Sequence, residues 1–322
     1  MNLRILLAAV AAAGFAFVLP AGAQQLKSDV HFLNGFPPGG TSDLLGRLLA
    51  EAISPVVGQK VVVEQKTGAS GFIAAEACAR APADGHTIFP APMAVMAVAP
   101  VMPGQKLGID VDRDLTPISN LAGVYNMLVV GNSTSFKTVA EVIDFAKKNP
   151  GKLTYASSGN GTSQHLSGEL FKRLAGVDIL HVPYRGGAPA ILDMVGGRTT
   201  MMFGNMPEFL GQIRGGGLRP VGFGAARPSP LFADLPVISG TLPEFKISNW
   251  FGVVGPAGLS AEWVGFWNRA IQNVARQPKF IQLMTDNGME ILAGTPEEFK
   301  ATFVADRRKW ADVIQSAKIR AD

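Results

Sequence analysis

Val30-His31-Phe32-Leu33 is followed by Pro37-Pro38-Gly39-Gly40-Thr41-Ser42, and then by Leu44, Leu45, Leu48, Leu49, Ala52 and Ile53. This is an apolar strand, a loop of glycines and hydroxyls, and an apolar stripe at helical spacing. Residues at i, i+4 and i+8 share one helix face, so the stripe predicts a half-buried helix through about Ile53. Thr41 or Ser42 is suited to cap its start. The same order returns twice. Leu153-Thr154-Tyr155-Ala156-Ser157 leads through Ser158-Gly159-Asn160-Gly161-Thr162-Ser163 into a helix carrying Leu166, Leu170 and Leu174. Ile179-Leu180-His181-Val182 leads through Pro183-Tyr184-Arg185-Gly186-Gly187 into a helix through about Val195. Strand–helix alternation with short connections predicts open α/β sheets.

Working outward, strands are expected at 60–64, 87–89, 127–130, 200–203 and 218–223, and a helix at 141–149. Further helices are expected at 261–275, 278–288 and 296–318. Two apolar strands of similar character, at 125–131 and 250–256, lie about half the chain apart and read as crossovers between two lobes. One lobe is then discontinuous, formed by 24–123 and 249–322, and the other spans 124–248. At the start of the chain, Arg4, an unbroken apolar run over 5–19 and Pro20-Ala21-Gly22-Ala23 form the pattern of a cleaved export signal. Cleavage is expected after Ala23, leaving the protein in the periplasm.

Composition narrows the function. The chain has 47% hydrophobic and 17% charged residues, with a net charge of +4. The basic residues are scattered, whereas a nucleic-acid surface needs a clustered basic face. Cys78 is the only cysteine, so no internal disulfide forms, and its Ala-rich surroundings read as a packed helix. There is no phosphate-binding G-x-x-x-x-G-K-[ST] and no G-x-S-x-G elbow. The histidines His31, His86, His165 and His181 lack metal-ligand spacing. No metal, cofactor or nucleic acid is therefore expected. The sharpest enzymatic alternative is an exported hydrolase relaying Ser157 or Ser158 through His165 to Glu169, which stand at i, i+4. A structural histidine orienting the loop competes with it and is preferred.

The glycine- and hydroxyl-rich loops suit an anion. A helix start carries unsatisfied N–H groups and partial positive charge, glycine allows close backbone approach, and hydroxyls add donors. Two such loops, one from each lobe and both after strand C-termini, predict a binding cleft.

At these loops the sequence resembles the substrate-binding proteins of tripartite tricarboxylate transporters, the Bug family. The resemblance runs through Phe36 to Asp43, Val61-Val62-Val63-Glu64 with Gly68-Ala69-Ser70-Gly71, and Pro82 to Thr87. It continues through Asn149 to Leu153, Ser157 to Ser163, His181 to Gly186, Trp250-Phe251-Gly252 and Thr295 to Phe299. It implies a type II periplasmic-binding fold, with two α/β lobes joined by a two-strand hinge and a ligand cleft between them. It also implies a small carboxylate clamped in that cleft and handed to integral-membrane transporter subunits. A monomer is expected, and a ligand-presenting sensor is the alternative role. Carried over by motif, the contacts are Phe36, Gly40, Thr41 and Ser42 from the first lobe. From the second they are Ser157, Ser158, Asn160, Gly161 and Thr162, with Pro183 and Tyr184 nearby. Asp43 is read as favouring the helix start. The chain departs from the family at Gly204-Asn205, where Asp often follows the aromatic, and at Pro90-Ala91-Pro92-Met93, where Gly and Ser are usual. With Asn205 and Met93 counted in the site, these changes predict a less polar distal cleft. An aromatic or medium-chain aliphatic mono- or dicarboxylate is then expected, and not an amino acid such as aspartate.

Overall fold

Two sheets, one of six strands and one of five, organise the computed structural model, which describes residues 25–225, 227–247 and 249–320. The expected export signal and its cleavage after Ala23 lie outside the described residues. Among those residues, no helix is long and apolar enough to cross a membrane.

In chain order the elements are β1 (Val30–Asn34), α1 (Thr41–Val57), β2 (Val61–Gln65), α2 (Phe72–Ala79), β3 (Thr87–Pro92), β4 (Leu115–Val124) and β5 (Asn126–Gly131). Next come α3 (Val139–Lys148), β6 (Thr154–Ser157), α4 (Ser163–Ala175), β7 (Leu180–Pro183), α5 (Gly187–Val195), β8 (Met201–Asn205), α6 (Met206–Arg214) and β9 (Leu218–Phe223). The chain ends with β10 (Asn249–Pro256), α7 (Ala261–Ala275), α8 (Pro278–Asp286), β11 (Met289–Ile291) and α9 (Pro296–Ser316).

The first sheet has the order β11-β4-β10-β3-β1-β2 and the second β7-β6-β8-β5-β9. β1 lies parallel to β2 and β3, and β6 parallel to β7 and β8, so the three strand–loop–helix units enter parallel pairs. β10 runs antiparallel to β3 and β4, and β5 runs antiparallel to β8 and β9. The sheets therefore form two α/β lobes. Only Tyr125 separates β4 of one sheet from β5 of the other. The chain returns from β9 into β10, whose Asn249 pairs with Val124 at that same junction. This is the two-strand hinge of the type II periplasmic-binding fold.

Local chemistry accounts for the frame. In α1 the stripe Leu45, Leu49 and Ile53 is fully buried. The helix runs past Pro55 to Val57 and stops at Gly58, which takes a left-handed conformation at φ 70°. Its N-cap is Gly40, not Thr41 or Ser42: Thr41 is already helical and its hydroxyl is used elsewhere. All eight residues of β10 are buried, as expected of a strand covered on both faces. Cys78 is buried in α2, and burial pushes its thiol far above the ordinary range, which suits an inert core thiol. Four features differ from expectation. β3 runs three residues further, to Pro92, while β4 and β11 are additional strands. The fourth is the helix α6, for which no helix is expected between 203 and 218.

Candidate functional site

The loop after β1 is held by one side chain. Asn34 Oδ1 accepts the Phe36 N–H at 3.2 Å and the Ser42 hydroxyl at 2.7 Å. Gly39, at φ 87°, turns the chain and donates its N–H to Asp43 Oδ2 at 3.2 Å. Burial opposes ionisation of Asp43, but Arg47, the Gly39 N–H and Gln65 together hold its carboxyl below the ordinary value. Asp43 is thus committed to the helix start, and Thr41 faces the other lobe.

From that lobe, Thr162 caps α4 by accepting the His165 N–H. Gln164 Oε1 receives the Ser158 N–H at 2.5 Å, which points its amide nitrogen into the cleft. β8 ends at Asn205, which accepts a 2.8 Å bond from Asn249 of β10, and α6 begins at the next residue. Glu208, in the first turn of α6, projects across the cleft. Its Oε1 accepts the Thr41 hydroxyl at 2.8 Å and the Thr41 N–H at 3.3 Å, and its Oε2 accepts Gln164 Nε2 at 2.8 Å. One carboxylate is thereby held by donors of both lobes. Burial pushes the Glu208 carboxyl above its ordinary value, opposed by the hydrogen bonds from Thr41, Gln164 and Asn205.

These groups line an inner cavity of about 40 Å³. Ser42, Ser158, Thr162 and Asn249 complete its polar side, while Phe36, Pro37, Pro92, Ala94 and Phe251 supply an apolar wall. Phe36, Pro37 and Ser158 also border an outer vestibule of about 590 Å³, where Asn160, Pro183 and Tyr184 lie. At the mouth Ser70 Oγ donates to the Asn160 carbonyl at 2.7 Å, a further bond between the lobes. Ser70 and its neighbour Ala69 both sit at left-handed φ, 52° and 47°, which costs energy for residues with a Cβ.

The structure therefore brings Phe36, Gly40, Thr41, Ser42, Ser158, Thr162 and Asn205 to one cavity. Asn160, Pro183 and Tyr184 lie outside it, in the vestibule. Gly161 faces a neighbouring hollow with Met102, and its N–H is committed to His165 Nδ1 at 3.1 Å. Ser157 is fully buried beneath the loop, 2.7 Å from His181 Nε2, and does not reach the cavity. Met93 also points away. It is fully buried, with its sulfur 3.2 Å from the Trp310 indole nitrogen, because the chain turns into the core after Pro92. Gln164, Glu208, Asn249 and Phe251 were not expected in the site.

The Ser157–His165–Glu169 relay is not assembled. Ser157 pairs with His181, whose pKa burial and the stacked His165 ring lower to about 3, so it is a poor proton acceptor at neutral pH. Glu169 Oε1 receives the Tyr155 hydroxyl and the Lys172 ammonium. His181 is sandwiched between Tyr155 and His165, with ring centroids 4.6 and 4.3 Å away. This stack supports the loop from below. Among the described residues, no three His, Cys, Asp or Glu side chains converge as a metal site.

Gly204 has a packing reason. A Cβ there would lie 2.4 Å from Phe209 Cζ, so the Phe209 ring takes the space a larger residue would need. Gly204→Asp is expected to lower the thermal midpoint by at least about 3 °C, through overpacking and a carboxylate set against a buried ring. A midpoint equal to wild type would show that the ring yields freely.

Comparison with known proteins adds to this geometry. Residues 45–319 match the family model described as "Tripartite tricarboxylate transporter family receptor". Protein BugT of Bordetella pertussis is 31% identical over 326 residues, covering 98% of each chain. The structure titled "R. palustris Rpa4515 with adipate" is 32% identical, with a TM-score of 0.89, covering 91% of this chain and 98% of that one. MatC from Rhodopseudomonas palustris, solved with bound malate, is 25% identical with a TM-score of 0.84, covering 89% and 99%.

Proposed function

Because the chain belongs to the tripartite tricarboxylate transporter receptor family, a family of solute-binding proteins, we propose that it captures a small carboxylate in the periplasm and delivers it to membrane transporter subunits. The observation that carries this reading is the convergence of the Thr41 N–H, the Thr41 hydroxyl and the Gln164 amide on a single carboxylate between the lobes. Donors fixed at a helix start and on a facing lobe suit a carboxylate, because their directions and the α1 dipole act together. The apolar wall of Phe36, Pro92, Ala94 and Phe251 supports a guest with a hydrocarbon or aromatic body. Two structural relatives were solved with adipate and malate, which supports the carboxylate class.

The lobes meet at Thr41–Glu208 and Ser70–Asn160, so a guest enters when they swing apart on the hinge and is enclosed when they return. Thermal-shift measurements with adipate, malate, benzoate, aspartate and their uncharged amides test the proposal. At 100 times its Kd, a bound acid is expected to raise the midpoint by about 5–10 °C. Adipate or benzoate should act at lower concentration than aspartate, and the amides should have no effect. Equal stabilisation by the amides would remove the carboxylate from the reading.

A further inference from the structure

The carboxylate held at the meeting of the lobes belongs to the protein itself. Glu208 takes both donors of Thr41 and the amide of Gln164, and the cavity left beside it is small, about 40 Å³. The fold makes room for this side chain. A Cβ on Gly187, the first residue of α5, would stand 2.8 Å from Glu208 Oε2. The carboxylate therefore lies beside the starts of α1 and α5, where partial positive charge is concentrated.

Resting on the carboxylate-capture reading, we propose that Glu208 is the affinity- and charge-determining residue of this cleft. Its carboxylate competes with the guest's for the Thr41 and Gln164 donors, and capture of a guest carboxylate is coupled to uptake of one proton from solvent by Glu208. Two ionised carboxylates sharing one set of donors repel each other, and the arrangement is relieved when one of them binds a proton. Glu208 is the one poised to do so, because burial already disfavours its charged form. Once protonated, its O–H becomes a donor toward the guest, and the competitor turns into a partner.

At the cleft ends of the surrounding elements, Asp43 of α1 is paired with Arg47, and His165 of α4 accepts the Gly161 N–H. Asp193, toward the far end of α5, is paired with Arg198. The hydrogen bonds that reach the Glu208 carboxylate come from neutral donors, Thr41, Gln164 and Asn205. β8 and β10 present no ionisable side chain.

Calorimetric titration of adipate between about pH 6.5 and 9, where ordinary carboxyls are ionised, tests the coupling. Buffers of different ionisation enthalpy report the protons taken up. For the wild-type protein the expected results are uptake approaching one proton per adipate and an affinity that falls up to about tenfold per pH unit as pH rises. Glu208→Gln keeps the shape and loses the charge. It is expected to bind adipate at least about tenfold tighter at pH 8, with neither proton uptake nor that slope. Binding without proton uptake in wild type, an equal pH slope in Glu208→Gln, or weaker binding by the variant would each overturn the proposal. The wild-type proton count needs no substitution, so it stands even if the variant folds poorly. If neither protein binds any acid of the panel, the carboxylate reading itself fails, and the role of Glu208 falls with it.

Discussion

Gly187→Leu is expected to reduce affinity for a captured carboxylate more than about 100-fold while leaving the thermal midpoint within about 3 °C of wild type. The backbone tolerates the change, since Gly187 opens α5 and is not among the glycines at positive φ. Nor does the added Cβ meet a rigid neighbour. Its nearest atoms are the carboxylate oxygens and Cδ of Glu208, the far end of a flexible side chain. Leucine also favours the helix more than glycine does, which offsets part of any local crowding. The isobutyl group, however, would project into the cavity between Thr41, Gln164 and Glu208 and occupy the space of the guest's anchor. Losing two charge-assisted hydrogen bonds of about 1.5–3 kcal/mol each is enough for a 100-fold effect, because each 1.4 kcal/mol is tenfold. Isothermal titration with adipate checks this. An affinity within tenfold of wild type in a folded Gly187→Leu protein would place the guest outside the inner cavity.

The parts of this fold that were legible in the sequence are those where one physical signal acts alone. The stripe Leu45, Leu49, Ile53 could only face a core, and the hydroxyls and glycines of the two loops could only serve turns, caps or a guest. β4 was hidden because Pro117, Ser119 and Asn120 interrupt its apolar pattern. Tertiary partners hold them: Ser119 donates to the Gly294 carbonyl, and Pro117 is paired opposite Val254. β3 was cut short for a similar reason, since Pro90 and Pro92 usually mark the end of a strand. Here they stand opposite Val253 and Phe251 in an antiparallel pair. In the site, Thr41, Ser42, Ser158 and Thr162 carried their own local signal. Ser157 and Met93 were misplaced because strand alternation and a turn after Pro92 decide which way they point. Glu208 gave no signal, because α6 itself is not among the helices expected from the sequence; in the structure it is an acid in the first turn, where it offsets the dipole. Its approach to Thr41, 167 residues away, depends on how the lobes meet, and no local pattern encodes that.

Gly252→Ala is expected to lower the thermal midpoint by about 6–12 °C, corresponding to roughly 3 kcal/mol of overpacking. The added methyl would stand 2.0 Å from Phe299 Cζ and 2.3 and 2.6 Å from the two Cε atoms, so it meets the ring end-on. The ring has no easy retreat. Phe299 is fully buried, with Trp250 at 5.4 Å and 85° and Phe303 at 5.3 Å and 81°. Its backbone is fixed too. Thr295 and Glu298 form a capping box at the start of α9, so the ring can move only if the helix start moves. Gly252 also lies in β10 where the pairing with β4 shifts register, next to Phe251, which faces the inner cavity. Strain at this point is therefore expected to weaken ligand binding as well as stability. The double variant Gly252→Ala/Phe299→Leu isolates the cause, because leucine removes the ring end that the methyl strikes. Its stability should exceed the sum of the two single changes by at least about 1 kcal/mol, a coupling expected only for residues in contact. Additive effects, or a Gly252→Ala midpoint within 2 °C of wild type, would show that the strand and α9 adjust without strain.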